Sequence, residues 1–360
     1  MTTVVVLAGD STPAHRSEVI GRAEAAGATV IAHTDTMVVL TGDQRRAAGV
    51  LGALPQVVNV ASVAADYPLA AVESRCGNPS VVRIGGCPFG PFGFAVIAGP
   101  CVVETRDQLV TIADAVRAAG CHVLRGGAFK PRTSPYSFQG LGLPGLELMA
   151  EARERTGLPF VTEILDVRAA DQMAAVADAL QIGARNMQNY PLLREVGRLR
   201  RPVVLKRGPA ATIEETLLAA DYILANGNEQ VIICERGIRT FERGYRYTLD
   251  LTAVTVFRER THLPVIVDPS HAAGATRRVV PLALAAAAAG ADGIMVEVHH
   301  DPANARCDGQ QALTTGDLSE LMSRLRLAAA AAGRALHLAR EPGDRAGSAP
   351  ATGTLLGHQV

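Results

Sequence analysis

The sequence predicts an α/β protein: a (β/α)8 barrel preceded by a small α+β domain with the βαββαβ order of a ferredoxin-like fold. Three observations carry this. Apolar, β-rich runs alternate with helix-length stretches from residue 94 to about 337, and parallel strands covered on both faces read as such continuous runs. Residues 1–66 alternate shorter runs in a different order, and a Pro/Gly-rich segment separates the two patterns.

Taken in order, Val4–Leu7 is a β-branched run and Pro13–Ala26 an amphipathic stretch. Val30–His33 and Thr36–Leu40 read as strands, Asp43–Leu54 as a helix and Val57–Val63 as a strand. Residues 67–93 form a linker with a short hairpin expected around Val81–Ile84. The barrel strands are expected at Phe94–Ala98, His122–Arg125, Phe160–Glu163, Ala179–Ile182, Pro202–Lys206, Gln230–Glu235, Pro264–Asp268 and Gly293–Val298. Helices are expected between them, among others at Arg106–Ala119, Gly145–Thr156, Thr212–Ala225 and Asp317–Ala332. Eight buried strands, each followed by a helix, favour the closed barrel over an open doubly wound sheet. Residues 338–360, rich in Gly, Ala and Pro, are expected to be a disordered tail.

Composition excludes several roles. Lys+Arg and Asp+Glu both number 35, so the formal net charge is zero, and aromatic residues make up 4% with no Trp. Neither nucleic acid nor an anionic membrane surface is therefore an expected partner. The longest apolar stretch, Val279 to Ala291, is too short to span a bilayer. No basic region precedes the first apolar run, and the six cysteines are scattered without a CxxC. Both features predict a cytoplasmic protein with no disulfide framework.

In a barrel the chemistry sits at the C-terminal ends of the strands, and two groupings fall there. Cys101, His271, Glu297 and Asp308 offer a thiolate, an imidazole and two carboxylates. That mixed set suits a divalent metal ion of the Mn, Fe, Co or Zn class; singly, each would read as a buried thiol, a satisfied histidine or a loop cap. Arg125, Lys130, Arg132, Arg185, Lys206 and Arg236 form the second grouping. Cations that end buried strands must be neutralised. Internal carboxylates such as Glu163 and Glu235 are one source of neutralisation, and a substrate bearing phosphate and carboxylate is the other. No G-x-G-x-x-G or Walker loop is present.

The motifs IAGPCVVE, LRGGAFKPRTSPYSFQGLG, IGARNMQN, VLKRG, ICERG, DPSHAAG and GIMVEVHHDP…CDGQQAL resemble those of 3-deoxy-7-phosphoheptulonate (DAHP) synthases. The resemblance is to the subfamily that is related to 3-deoxy-8-phosphooctulonate synthase and carries an N-terminal ferredoxin-like domain. It covers about residues 1 to 336. It implies condensation of phosphoenolpyruvate with erythrose 4-phosphate at the first step of the shikimate pathway of aromatic amino acid biosynthesis. Cys101, His271, Glu297 and Asp308 would be metal ligands. Arg125, Lys130, Arg185, Lys206 and Arg236 would hold phosphoenolpyruvate, and Arg132, Thr133 and Ser134 the aldose phosphate. Cys101 and His271 would serve catalysis through the metal, and Lys130 would deliver or relay a proton. The resemblance also implies an aromatic amino acid as allosteric effector of a homo-oligomer, a tetramer or dimer. Octulonate synthases usually carry Lys-Ala-Asn-Arg-Ser where this chain has Lys130-Pro131-Arg132-Thr133-Ser134, and they lack the N-terminal domain. The chain departs from the family at Thr276, His300 and Cys307, where a basic residue, Pro and Ser are usual. Three rivals remain beside this reading: an octulonate synthase using arabinose 5-phosphate, a Schiff-base aldolase acting through Lys206 or Lys130, and a non-catalytic regulatory homologue.

Overall fold

The computed structural model describes residues 2–337. The chain opens with β1 (Thr2–Leu7), α1 (Pro13–Ala25), β2 (Ala28–His33), β3 (Met37–Gly42), α2 (Gln44–Leu51) and β4 (Val57–Val63). The four strands form an antiparallel sheet in the order β2-β3-β1-β4, the βαββαβ arrangement the sequence predicts. One sheet face packs on α1 and α2 through Val5, Val38, Leu40, Val19 and Leu51. The other face, with Val4, Val6, Met37 and Val39, joins the core that runs through the linker residues Tyr67 and Leu69 into the barrel.

The linker contains a 3-10 turn, Val72–Arg75, and a hairpin of β5 (Val82–Ile84) and β6 (Cys87–Phe89). The barrel then follows: β7 (Ala95–Gly99), α3 (Arg106–Ala118), β8 (Val123–Arg125), α4 (Leu143–Thr156), β9 (Phe160–Ile164), α5 (Ala170–Val176) and β10 (Ala179–Ile182). It continues with α6 (Tyr190–Arg198), β11 (Val203–Lys206), α7 (Ile213–Leu224), β12 (Val231–Glu235), α8 (Leu251–Arg260) and β13 (Val265–Val267). It ends with α9 (Pro269–Ala273), α10 (Thr276–Ala288), β14 (Gly293–Glu297) and α11 (Thr315–Ala331). Strands β7 to β14 are parallel and close on themselves, β14 pairing with β7.

Side chains alternate across each strand. Ala95, Ile97, Val123, Val161, Val204, Ile232, Ile266 and Met295 point inward and fill the barrel, with Val82, Ile84 and Phe89 of the hairpin closing its floor. Their neighbours Val96, Leu124, Leu205, Ile233 and Val296 face the helices. Threonine caps start the long helices: Thr105 accepts from the Gln108 amide, Thr212 forms a capping box with Glu215, and Thr314 one with Asp317. Each such cap is worth about 1 kcal/mol. Gly99, at φ 151°, ends the first barrel strand where a Cβ would lie 2.1 Å from the Arg125 carbonyl oxygen. Only glycine fits there, and the turn it permits delivers Cys101 to the mouth. Residues 338–360, expected as a tail, lie outside the described residues.

Candidate metal centre and anion pocket

Each strand end supplies a piece of the mouth. Cys101 follows β7, Arg125 ends β8, Lys206 ends β11, and Arg236 follows β12. Asp268 follows β13 and N-caps α9, accepting from the His271 amide at 3.0 Å. The same carboxylate bonds His271 Nδ1 at 2.7 Å and Lys206 Nζ at 2.5 Å. Nδ1 is therefore the protonated nitrogen, and Nε2 presents its lone pair toward Glu297 Oε1, 3.2 Å away. Burial holds His271 below its ordinary pKa against the pull of Asp268 and Glu297, so it is a neutral imidazole at neutral pH.

Glu297 is fully buried at the end of β14. Its Oε1 accepts from Arg125 at 3.0 Å and its Oε2 from Gln311 at 2.6 Å. Burial alone would raise its pKa, but His271, Arg125 and Lys130 outweigh burial and hold it well below the usual carboxylate range. Asp308 sits in the left-handed region, φ 52° and ψ 25°, a conformation asparagine and aspartate tolerate better than most residues. Burial and Glu297 push its pKa up, yet Lys130, His271 and Arg246 prevail and it too stays low. The Cys101 thiol is pushed well up by its bond to Cys307, then by burial and Glu297; a bound cation would have to displace its proton. The donor atoms of Cys101, His271, Glu297 and Asp308 all lie within 4.8 Å of one another. A neutral imidazole, a thiol and two ionised carboxylates at that spacing fit a divalent cation.

Beside this cluster opens a cavity of about 580 Å³. Lys130, Arg132, Arg185, Arg236, Arg239 and Arg246 line it, together with Thr133, Ser134 and Tyr247. Asp308 is its single lining carboxylate among the described residues. Burial would lower the Lys130 pKa, but Cys101, Glu163 and Glu297 carry it upward, so Lys130 is an ammonium. Arg236 stacks on the Tyr247 ring at 4.1 Å, and Arg246 bonds Gln311 Oε1 at 2.6 Å.

The expected residues divide by depth. Lys130, Arg132, Thr133, Ser134, Arg185 and Arg236 line the cavity, whereas Arg125 and Lys206 lie beneath it, paired with Glu297 and Asp268. Of the two internal carboxylates named from sequence, Glu163 acts on Lys130, whereas Glu235 is taken by a cation outside the grouping. Glu235 pairs with Arg207 rather than Arg236, and Glu163 accepts from Gln181. Sequence reasoning missed Arg239, Arg246, Tyr247, Asp268 and Gln311. For the first three a signal existed: Arg236, Arg239, Arg243 and Arg246 recur in a Gly- and Tyr-bearing loop after a buried strand.

Fold and site define a barrel enzyme with a metal-donor cluster facing a cationic pocket at its C-terminal mouth. Residues 92–329 match the DAHP synthetase I family. The chain is 46% identical over 299 residues to a phospho-2-dehydro-3-deoxyheptonate aldolase of Thermotoga maritima, covering 83% of this chain and 88% of the relative. A 2-dehydro-3-deoxyphosphooctonate aldolase of Geobacter sulfurreducens is 33% identical over 266 residues, covering 68% of this chain and 94% of the relative. The crystal structure of the Thermotoga maritima DAHP synthase superposes with a TM-score of 0.75 at 43% identity, covering 93% of this chain and 99% of that one. This chain belongs to the DAHP synthetase I family.

Proposed function

We propose that this enzyme condenses phosphoenolpyruvate with D-erythrose 4-phosphate and water, giving 3-deoxy-D-arabino-heptulosonate 7-phosphate and inorganic phosphate. The observation that carries the assignment of roles is the charge of the mouth. Six lining cations face one lining carboxylate. Two phosphate monoesters and one carboxylate together bring about −4 to −5, which matches that surplus.

Arg125, Lys130, Arg185, Lys206 and Arg236 hold the carboxylate and phosphate of phosphoenolpyruvate. Arg132, Thr133 and Ser134 hold the aldose phosphate nearer the opening. Cys101, His271, Glu297 and Asp308 would hold a divalent ion of the Mn, Fe, Co or Zn class, which would supply Lewis acidity toward the aldehyde oxygen. The methylene carbon of phosphoenolpyruvate bonds to the aldehyde carbon, water adds to the enol carbon, and the resulting hemiketal phosphate expels phosphate. Lys130, ammonium and in the cavity, delivers or relays the proton that the new hydroxyl takes up. The clamps hold both reactants in contact, which contributes several kcal/mol to the barrier reduction.

The 46% identity to a heptonate aldolase against 33% to an octonate aldolase favours the four-carbon acceptor. Chelator-stripped protein offered erythrose 4-phosphate and arabinose 5-phosphate in parallel, with and without Mn, tests this. Phosphoenolpyruvate should disappear only with Mn and erythrose 4-phosphate; consumption of the pentose phosphate instead overturns it.

Residues 1–66 are read as a regulatory unit, 67–93 as its connector and 94–337 as the catalytic unit of a homo-oligomer, with an aromatic amino acid as effector. Support comes from Glu229 at the floor, which accepts from the Thr36 amide at 2.9 Å and pairs with Arg75 at 2.6 Å. Inhibition of the full-length enzyme by Tyr or Phe tests that role.

A further inference from the structure

Cys307 is buried at the mouth and has no part in the reading above. Its sulfur lies 3.4 Å from Cys101 Sγ and 3.4 Å from Asp308 Oδ2, and those two atoms are 3.3 Å apart. The three donors thus form a nearly equilateral triangle. A tetrahedron of that edge has its centre about 2.1 Å from each corner, close to the about 2.0–2.2 Å of a zinc–carboxylate bond and 2.3 Å of a zinc–thiolate bond. Val102 and the partly buried Phe138 pack against the two sulfurs. Arg132 donates to Cys307 Sγ, so the sulfur faces the anion pocket as well as the donor cluster. The donor atoms of His271 and Glu297 are within 4.8 Å of Cys101 Sγ and the Asp308 carboxylate, close enough for either to take the one remaining corner.

We propose that Cys307 is a second thiolate donor of this metal centre, making it a site for soft divalent cations such as Zn2+ or Cd2+. The inference rests on the metal reading given under the proposed function and adds a donor to it. Each thiol loses its proton to solvent as its sulfur–metal bond forms, so loading releases two protons from cysteine instead of one. A second sulfur moves the preference away from Mn2+, which favours oxygen donors, toward thiophilic ions. It also places Arg132 in contact with both a metal-bound sulfur and the aldose phosphate subsite.

The test is titration of the chelator-stripped full-length protein, kept reduced with a phosphine, with Cd2+ and Co2+. The readout is the near-ultraviolet sulfur-to-metal charge-transfer band per bound ion. Wild type should show a band about twice that of Cys307→Ser, because intensity scales with the number of bound thiolates. Proton release read with a pH dye gives an independent count that needs no variant: about two per Cd2+ supports the proposal and about one overturns it. Bands of equal height in wild type and Cys307→Ser overturn the second thiolate and leave Cys101 as a ligand. No band in either protein, with the ion bound, removes Cys101 from the metal site and this inference with it.

Discussion

The two ends of the barrel are built from the same strands, yet they treat charge in opposite ways. At the floor Asp292 and Asp178 are each matched by arginine and a backbone amide. Asp292 accepts from the Val265 amide at 2.7 Å and pairs with Arg334 at 2.7 Å and Arg258 at 3.3 Å. Asp178 accepts from the Phe160 amide at 2.9 Å and pairs with Arg153 at 3.3 Å. At the mouth Arg132, Arg185, Arg236 and Arg239 form no ion pair among the described residues. A matched floor serves the fold, and a mouth with surplus cations serves a ligand that supplies the missing charge.

Substitutions at the two ends should therefore separate activity from stability. The largest expected effect is at the mouth. Cys101→Ala should cost more than about 10³-fold in metal-dependent turnover, with the urea midpoint little changed. Retention of full Mn-dependent rate would break the comparison. Next comes the floor. Phe89→Ala should lower unfolding free energy by about 3–5 kcal/mol, as other buried Phe truncations do, while kcat per folded molecule stays near wild type. A collapse of kcat at unchanged stability would mean the floor reaches the site.

Smaller is the effect of Asp268→Asn, which touches no metal donor atom except through His271. Loss of that partner should weaken metal binding by about 10–100-fold, read by equilibrium dialysis. Unchanged affinity would reduce Asp268 to a helix cap and the partner of Lys206.

The smallest effect is a hidden pH balance beside the linker. Burial raises Asp221, whose carboxylate accepts from the Ala70 amide, to about 7. Burial lowers His262, which donates to the Leu69 carbonyl, to about 4. An acid raised in the folded state loses stability as pH climbs from its unfolded pKa, about 3.9, through about 7. A histidine depressed in the folded state loses stability as pH falls from its unfolded pKa, about 6.5, through about 4. Between those limits the two slopes oppose each other. Urea midpoints across pH 4.5 to 6.5 should rise with pH relative to wild type in Asp221→Asn and fall relative to wild type in His262→Gln. Parallel profiles for all three proteins would refute the balance.

Much of this organisation is legible in the sequence, because continuous apolar runs leave little choice about which segments are interior strands. Ala179–Ile182 is a strand as expected, and Phe94–Ala98 shifts by one residue because the Phe94 amide bonds the Ala335 carbonyl outside the barrel ladder. Three of the proposed metal donors were legible as a thiol, an imidazole and a carboxylate at strand ends, and Asp308 as a carboxylate in the loop after the last strand. The hidden parts depend on three-dimensional partners. Helix α9 is five residues long, too short for a periodic signal, yet it carries His271. Arg207 and Arg236 look alike in sequence. Only the structure separates Arg207, paired with Glu235 and Asp250, from Arg236, left facing the cavity.

The hairpin plug of Val82, Ile84 and Phe89 also decides the traffic. With the floor sealed, the mouth is the single doorway for both reactants and both products. If the proposed assignment holds, cations at two depths impose a queue: the molecule seated on the strand ends would have to go in before one at Arg132, Thr133 and Ser134 shut the way behind it.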